Sequence, residues 1–259
     1  MDLAGKNVVY LGGFGGIGQK TCKELLERQL QALAVFDLTL NEQILAEWQS
    51  KYPNTKIFYL KVDITQRVDI EAAYKMTVER LGHFDLVVNG MGLMDDRHIE
   101  LTIQINLMGV INSCLIALDY MDKSKSGQGG MIVNISSVAG IQPTPLMSVY
   151  SAAKHGVTAL TRSLSNPAYF ERMGVSFVTI CPGFTDTPLL HEMADKTTFK
   201  FDTPTKLGLS KVKRQSPQVC AENFVKVIEQ AKNGSVWLLD VGEIKELEFP
   251  VMWAPQIEK

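Results

Sequence analysis

The sequence has few of the features that mark several large classes of protein. Its 259 residues include only four cysteines, which are widely separated, and it has no CxxC pair and no cluster of histidines. We therefore expect reduced thiols in an intracellular protein, with neither a disulfide framework nor a metal site. The 26 basic and 28 acidic residues almost cancel, and no block of like charge occurs. This balance gives no indication of nucleic acid or an anionic membrane as a partner.

A targeting signal and a membrane span are also not evident. Residues 1–7 are polar ahead of the first apolar run, unlike a secretory signal peptide. No uninterrupted apolar run approaches the roughly 20 residues that a membrane helix requires. We therefore expect a soluble, cytoplasmic protein. Its 46% hydrophobic and 21% charged residues are typical of a globular protein with ample apolar mass for one core.

Short apolar runs alternate with helical segments along most of the chain. Near-continuous apolar strands that alternate with helices predict a parallel sheet covered by helices on both faces. We therefore predict one doubly wound α/β (Rossmann) domain over residues 1–259, with a substrate loop at about 184–216 and a tail at about 243–259. The seven predicted strands cover residues 7–11, 32–36, 56–62, 85–89, 131–135, 175–180 and 235–239.

The first predicted strand ends in a glycine-rich turn that opens a helix. The turn contains a GxGxxG pattern, and an aspartate follows its last glycine by 19 positions at the end of the second strand. In this context glycines let the backbone approach a pyrophosphate, and the aspartate accepts hydrogen bonds from a ribose diol while it repels a 2′-phosphate. The sequence thus favours NAD over NADP; a glycine turn without a ligand is the alternative. The predicted contacts are Gly12, Gly13, Gly15, Gly16, Ile17, Gly18 and Asp37.

Two further strand ends are candidates for contact with the cofactor. Asp63, followed by Ile64, ends the third strand, where its carboxylate would either accept a hydrogen bond from an adenine amino group or cap the next helix. Gly90-Met91-Gly92 ends the fourth strand, where missing side chains would either leave room for the ribose and adenine or form a plain turn. Ligands of such sheets bind at the carboxyl ends of the strands, which favours the binding role at both places.

Tyr150 and Lys154 form the candidate catalytic pair. Residues four apart on a helix lie one turn apart on the same face. Because an ammonium group beside a phenol favours the phenolate, we expect Lys154 to lower the pKa of Tyr150 and to let it exchange a proton near neutral pH. The spacing alone proves little, since Tyr52 and Lys56 have the same spacing.

The order and spacing of these residues resemble the short-chain dehydrogenase/reductase family along nearly the whole chain. Within the family, residues 15–18 (Gly-Gly-Ile-Gly), 95–100 (Asp-Asp-Arg-His-Ile-Glu), 220–226 and 233–237 resemble insect-type alcohol dehydrogenases. The resemblance implies an NAD-dependent oxidoreductase that transfers a hydride between nicotinamide and an alcohol, ketone or aldehyde. The catalytic residues that it implies are Asn106, Ser137, Tyr150 and Lys154.

The resemblance also implies a role for each of these residues. Tyr150 would act as base or acid, and Lys154 would in addition hold the hydroxyls of the nicotinamide ribose. Ser137 would bind the substrate oxygen, and Asn106 would distort its helix and hold a water in a proton relay. An exposed strand-end serine and a buried structural asparagine are the alternatives. The nicotinamide carboxamide would be held by Pro182, Gly183, Thr185 and Thr187.

The predicted substrate loop supplies apolar side chains to the pocket. An aliphatic or lipophilic alcohol therefore fits better than a sugar or a charged acid. The alternatives are a retinol, steroid or prostaglandin-type dehydrogenase, and a catalytically weak relative that binds or stores a ligand. The expected substrate contacts are Ser137, Met147, Tyr150, Leu189 and Met193, with further apolar lining from Leu190, Phe199 and Phe201.

Three residues depart from the usual pattern of the family. Leu11 stands where many members have threonine, and Gly90 and Met91 replace the second asparagine and the alanine of Asn-Asn-Ala-Gly. Insect-type members also have glycine at the former place, so we do not infer inactivity. The resemblance further implies a homodimer or homotetramer, with the helices at about 99–121 and 150–164 and the C-terminal tail as interface candidates.

Overall fold

The apolar runs form one eight-stranded sheet in the computed structural model, which describes residues 1–193, 195–201 and 211–255. The strands are β1 (Asn7–Leu11), β2 (Ala32–Asp37), β3 (Lys56–Lys61), β4 (Leu86–Asn89), β5 (Gly130–Ile135), β6 (Val175–Pro182), β7 (Val236–Asp240) and β8 (Glu243–Glu246). Their order is β3-β2-β1-β4-β5-β6-β7-β8, and every neighbouring pair is parallel except β7 with β8. The predicted doubly wound fold is confirmed, with one strand more than expected.

Helices cover both faces of this sheet. They are α1 (Gly16–Leu26), α2 (Glu42–Lys51), α3 (Arg67–Leu81), α4 (Ile99–Ile103), α5 (Gly109–Met121), α6 (Ser148–Leu164), α7 (Pro167–Met173), α8 (Pro188–His191) and α9 (Pro217–Gln230). Side chains alternate along a strand, so β1 directs Val8 and Tyr10 into the core under α1 and α9, and Val9 into the core under α3, α5 and α6. Burial on both faces explains why the strands lack a polar side in the sequence.

The strand order reverses at β1, which lies between β2 and β4. The chain leaves β1 toward one side of the sheet and later returns to build the other side from β4 onward. In open parallel sheets this reversal opens a crevice at the carboxyl ends of the strands. The glycine turn after β1 and residues 90–92 after β4 therefore face each other across it.

The long apolar helix predicted at 99–121 is continuous but irregular. A π-helical turn, Gln104–Met108, joins α4 to α5 and contains buried Asn106. By length and composition Ile99–Met121 is able to cross a membrane, contrary to our expectation, although half of its most apolar window is buried inside the protein. A helix in the core of a globular fold passes the same test, so this is weak evidence for a membrane span.

The tail begins with a strand that the sequence did not predict. Val241 and Gly242, between β7 and β8, have φ values of 46° and 85°, which form a tight hairpin turn. β8 has one apolar residue among charged ones, so it shows no alternation, and such charges limit pairing at a sheet edge. Parts of the predicted loop and tail (194, 202–210 and 256–259) lie outside the described residues. The division into one domain, a loop and a tail stays a prediction.

Candidate active site

A cavity of about 870 Å³ lies at the carboxyl ends of the central strands. Most of the residues predicted to bind a cofactor line it, and so do most of the predicted catalytic and substrate contacts. Those on the cofactor side are Gly12, Gly15, Gly16, Ile17, Gly18, Asp37, Gly90, Met91, Gly92, Pro182, Gly183, Thr185 and Thr187. Those on the side of the candidate chemistry are Ser137, Met147, Tyr150, Lys154, Leu189 and Met193.

Four predicted site residues do not line this cavity. Asp63 and Ile64 line a smaller adjoining pocket of about 160 Å³, which shares Gly12, Asp37 and residues 91–92 with the main cavity. Gly13 faces the core, where a Cβ would lie 2.8 Å from Val35. Asn106 lies behind Gly92, whose added Cβ would approach the Asn106 Oδ1 atom to 3.3 Å. The predicted residues thus gather around one cavity, but the sequence did not separate its lining from the residues that support it.

The glycine turn presents an uncapped helix start to the cavity. Gly15 is the N-cap of α1 and supplies no side-chain hydrogen bond, and the first turn of α1 contains no acidic residue. The amides at a helix start have no partner within the helix and carry partial positive charge, so they suit a pyrophosphate. A Cβ at Gly16 would lie 2.8 Å from Thr187, so this glycine also permits the segment after β6 to close on the turn. The turn therefore fits a dinucleotide.

Asp37 ends β2 beside the glycine turn. Its Oδ2 accepts a hydrogen bond from the Phe14 amide at 3.0 Å, which orients the carboxylate toward the cavity wall. Asp63 is oriented differently, because its Oδ1 accepts from both the amide (2.9 Å) and the hydroxyl (2.7 Å) of Thr65. Asp63 thus stabilises the turn ahead of α3 rather than capping the helix itself, whose N-cap is Gln66.

Tyr150 and Ser137 meet in the cavity. Tyr150 is the third residue of α6 and is buried, and Ser137 follows β5, where its hydroxyl also accepts from the Ala139 amide. Burial raises the pKa of Tyr150 to about 12, and a hydrogen bond with Ser137 offsets part of this rise. The predicted lowering of this pKa by Lys154 is therefore wrong, because burial dominates and the opposing contribution comes from Ser137.

Lys154 lies one helical turn beyond Tyr150. Its ammonium is 5.7 Å from the centre of the Tyr150 ring and donates to the Ile135 carbonyl at 2.9 Å. Burial lowers the pKa of Lys154 to about 8. The pair with identical spacing has no comparable arrangement: Tyr52 donates to Glu27, while Lys56 lies on β3 and donates to the Arg80 carbonyl.

Asn106 ties its irregular helix to the loop after β4. Its Nδ2 donates to the carbonyls of Leu93 (2.6 Å) and Thr102 (2.9 Å), and its Oδ1 accepts from the Leu93 amide at 3.2 Å. The expected distortion of the helix is present as the π-helical turn. Because these bonds engage both ends of the amide, the structural role of Asn106 is evident, and the water relay stays a prediction.

Apolar side chains surround the Tyr150 end of the cavity. Buried Met147 and Met193 form a small cluster with Tyr150, and Met94 and Leu190 pack against it. Leu189 also lines the cavity. Phe199 and Phe201 do not, because they stack on each other at the surface with ring centres 5.1 Å apart and exposures of 51% and 67%. Their assignment to the pocket lining is wrong.

The sequence analysis assigned no role to several residues at this site. Asp96 is buried and binds the start of α6, although the sequence shows only a pair of aspartates at 95–96. The spacing of the sequence motifs does not indicate a role for Ser136 either. Its hydroxyl nevertheless donates to the Lys154 carbonyl (2.9 Å) and contacts the Thr158 hydroxyl (2.8 Å). Further lining residues that the sequence did not indicate are Phe14, Thr39, Asn41, Met94, Ala139, Thr144 and Glu192.

Fold and cavity together define a protein of the Rossmann class whose glycine turn suits a dinucleotide. A family model described as short chain dehydrogenase matches residues 6–198, and this chain belongs to that family. The resemblance inferred from the sequence is confirmed.

Proteins of similar sequence extend over almost the whole chain. Alcohol dehydrogenase 1 of Ceratitis capitata is 41% identical over 255 residues, which cover 98% of this chain and 99% of that one. Development-specific 25 kDa protein of Sarcophaga peregrina is 37% identical over 251 residues, or 95% and 97% of the two chains. The crystal structure of levodione reductase matches with a TM-score of 0.79 over 92% of this chain and 97% of that one; at 24% identity it shows likeness of fold alone.

Proposed function

We propose that this protein is an NAD-dependent dehydrogenase or reductase that interconverts a lipophilic alcohol and its ketone or aldehyde. The observation that carries the proposal is the meeting of Tyr150 and Ser137 inside the cavity that the glycine turn also lines. The name of the Ceratitis relative, an alcohol dehydrogenase, supports the same reaction type.

The cofactor side of the cavity suits a nicotinamide dinucleotide. The amides at the start of α1 would hold the pyrophosphate, Asp37 the adenine ribose, and the residues from Pro182 to Thr187 the nicotinamide end. When bound, the oxidised cofactor supplies a hydride acceptor and a positive charge on its ring. A positive charge near a phenol lowers the pKa of that phenol, which would oppose the effect of burial on Tyr150.

Charge in the cavity favours NAD over NADP. Asp37 would meet a 2′-phosphate with like charge. Among the described residues that line the cavity, the only lysine or arginine is Lys154, whose ammonium is bound beside Tyr150. No lining cation of the described chain is therefore available to pair with the extra phosphate.

Tyr150 and Ser137 divide the handling of the substrate oxygen. Ser137 donates a hydrogen bond to that oxygen and fixes its position, and Tyr150 gives a proton to it during carbonyl reduction or takes one during alcohol oxidation. Lys154 binds the nicotinamide ribose and supplies positive charge below the phenol. The methionines and leucines around Tyr150 exclude water and accept an aliphatic chain, because methionine adapts its shape to apolar ligands.

The surroundings of the enzyme are part of the proposal. All four cysteines are buried free thiols, which supports a reducing, cytoplasmic location. We further propose a homodimer or homotetramer, because the outer side of the irregular helix 99–121 exposes Leu101, Met108 and Leu115, and the tail exposes Val251, Met252 and Trp253.

A panel of alcohols, aldehydes and ketones, assayed with NAD and NADP side by side, tests this function. We expect turnover of lipophilic alcohols with NAD and little turnover of polyols. Tyr150→Phe should bind NADH as the wild type does and should lose at least about 100-fold in kcat, because general acid–base catalysis typically contributes that much. NADH binding without turnover on any alcohol, retinol included, would favour a binding or storage protein instead.

A further inference from the structure

The start of α6 is held by residues from elsewhere in the chain. Met147, its N-cap, makes no side-chain capping bond. The Ser148 amide donates to the Thr198 hydroxyl (2.9 Å), and the Val149 and Tyr150 amides donate to the two carboxylate oxygens of Asp96 (2.8 and 3.0 Å). The Ser148, Val149 and Tyr150 amides precede the first hydrogen bond within the helix. All three are therefore satisfied by residues that are distant in the sequence.

We propose that Asp96 is a positioning residue that fixes Tyr150 at the substrate oxygen and connects the loop at 195–201 to the catalytic helix. The inference rests on the proposed function in one respect, namely that the Tyr150 hydroxyl transfers the proton. Asp96 itself does not line the cavity and would touch neither substrate nor cofactor.

The same carboxylate holds the loop. The Thr198 hydroxyl donates to Asp96 Oδ2 at 2.6 Å, and the Asp96 amide donates to the Lys196 carbonyl at 2.9 Å. The Thr198 amide donates to the Leu146 carbonyl at 2.9 Å, just ahead of α6. Because Leu146 and Met193 pack in one cluster with Tyr150, the loop and the helix start move as one unit while these bonds persist.

A carboxylate is the group that this arrangement requires. Asp96 is 4% exposed, and its carboxylate accepts from three donors, the Val149 and Tyr150 amides and the Thr198 hydroxyl. A carboxylate accepts at both oxygens and favours the positive end of a helix, whereas an amide would direct its NH₂ group at one of these donors. Neighbouring Asp95 is engaged elsewhere, since it accepts from the Arg97 amide and contacts His98.

The bond to the Tyr150 amide makes the position of this residue directly dependent on Asp96. A shift of the first helical turn would move the phenol relative to Ser137, which is fixed separately after β5. A misplacement of about 1 Å at a reacting group is able to cost about 100-fold in rate. The cost of losing Asp96 should therefore fall on kcat and not on cofactor affinity.

Asp96→Asn tests the proposal in the full-length enzyme. We expect kcat with NAD and a lipophilic alcohol to fall about 10- to 100-fold, with an unchanged dissociation constant for NADH. Asp122→Asn is the matched control, since Asp122 is also buried (5% exposed) and also lies outside the cavity lining, but caps the Ser124 amide (2.8 Å) and not the start of α6. The control should lower thermal stability without changing kcat. Equal kcat in Asp96→Asn and the wild type would overturn the inference and leave the proposed function intact.

The link to the loop is tested at Thr198. Thr198→Val keeps the shape and removes the hydroxyl, so KM for the alcohol should rise more than kcat falls, because the Lys196 amide of this loop donates to the carbonyl of Met193 (3.0 Å), which lines the substrate end of the cavity. Thr198→Ser retains the hydroxyl and should restore the KM of the wild type. A KM in Thr198→Val equal to that of the wild type would refute the link between loop and helix.

Hydrogen exchange separates this inference from the proposed function. The Val149 and Tyr150 amides should be protected in the wild type and should exchange faster in Asp96→Asn. This measurement does not require that the enzyme turns over a substrate. If the wild type oxidises no alcohol, the proposed function fails while these amides still report whether Asp96 holds the helix. Unchanged exchange at both amides would overturn the positioning role.

Discussion

Lys154 is a buried lysine, and burial disfavours its charged form. Its side chain is 2% exposed, and the pKa falls from 10.5 to about 8. Below pH 8 the lysine is charged in both the folded and the unfolded chain, so folding bears the full cost of burying the charge. Between pH 8 and 10.5 the unfolded chain binds more protons, and stability rises with pH. Above 10.5 the lysine is neutral in both states and the cost disappears.

We therefore expect Lys154→Met to stabilise the protein at neutral pH while it abolishes turnover. The gain should be about 1–3 kcal/mol below pH 8, allowing for the lost bond to Ile135, and should shrink steadily as pH rises toward 10.5. Urea unfolding at several pH values measures this gain in stability. Lys75→Met, at an exposed position on α3, is the control for replacing a lysine by methionine. A variant that is less stable than the wild type at pH 7 would contradict the assignment of a buried charge.

Asp37 offers a second prediction about a single residue. Asp37→Asn keeps an oxygen to accept the Phe14 amide hydrogen bond, so the glycine turn should remain in place. It removes the like charge that a 2′-phosphate would meet, so the ratio of kcat/KM for NADP to that for NAD should rise at least about 10-fold, or 1.4 kcal/mol. Steady-state kinetics with both cofactors measures this ratio. A ratio that stays at the wild-type value would show that Asp37 does not select the cofactor.

At the level of elements, β1 and the end of β4 pack closely because one glycine at the contact has no side chain. A Cβ at Gly90 would lie 2.7 Å from Tyr10 Cε1 and 3.0 Å from the Leu11 carbonyl. Tyr10 is fully buried. This contact gives a physical reason for glycine at position 90, because the ring of Tyr10 occupies the volume that a side chain would need.

We expect Gly90→Ala to destabilise the protein by about 1–3 kcal/mol, the usual cost of overpacking a core. The cost should fall when Tyr10 is replaced by leucine, which removes the part of the ring nearest to Gly90. Chemical denaturation of the two single variants and the double variant gives the coupling energy. Purely additive effects would show that the two residues do not compete for the same space.

The elements that the sequence predicted well are those with a local signal. β1 to β7 are apolar runs bounded by glycine, proline or aspartate, and the helix of Tyr150 is amphipathic, so their existence follows from periodicity alone. β8 escaped prediction because Glu-Ile-Lys-Glu at a sheet edge has no buried side to alternate with. The π-helical turn around Asn106 likewise depends on bonds to Leu93, which lies 13 residues earlier.

The site was predictable to the same extent. The glycine turn and the Tyr150–Lys154 pair lie within short stretches, so the residue types and spacing indicated their chemistry. The pKa of Tyr150 depends on burial by separate elements, and its direction was predicted wrongly for that reason. Asp96 reaches α6 from 53 and 54 residues away, a contact that no local pattern records.

The whole molecule exposes a stripe of apolar side chains on the helix that the sequence marked as most hydrophobic. Leu101, Met108 and Leu115 follow one another at intervals of seven residues and are 41%, 45% and 43% exposed. Helix faces of this kind are usually covered by a partner, since water contact with a contiguous apolar patch is unfavourable. A second copy of the chain, related by a two-fold axis, would cover the stripe with the same residues.

We therefore expect Leu115→Glu to weaken self-association. Two carboxylates would face each other across the two-fold axis. Because burial of these charges, or contact between them, costs several kcal/mol, the dimer dissociation constant should rise at least about 100-fold. Sedimentation velocity over a range of concentrations measures the shift, and circular dichroism establishes that the variant is folded. Val68→Glu, at a residue of α3 that is 68% exposed, introduces the same charge on another helix and should leave association unchanged. A Leu115→Glu variant that sediments as the wild type does, or a wild type that is monomeric at every concentration, would rule out the stripe as a dimer interface.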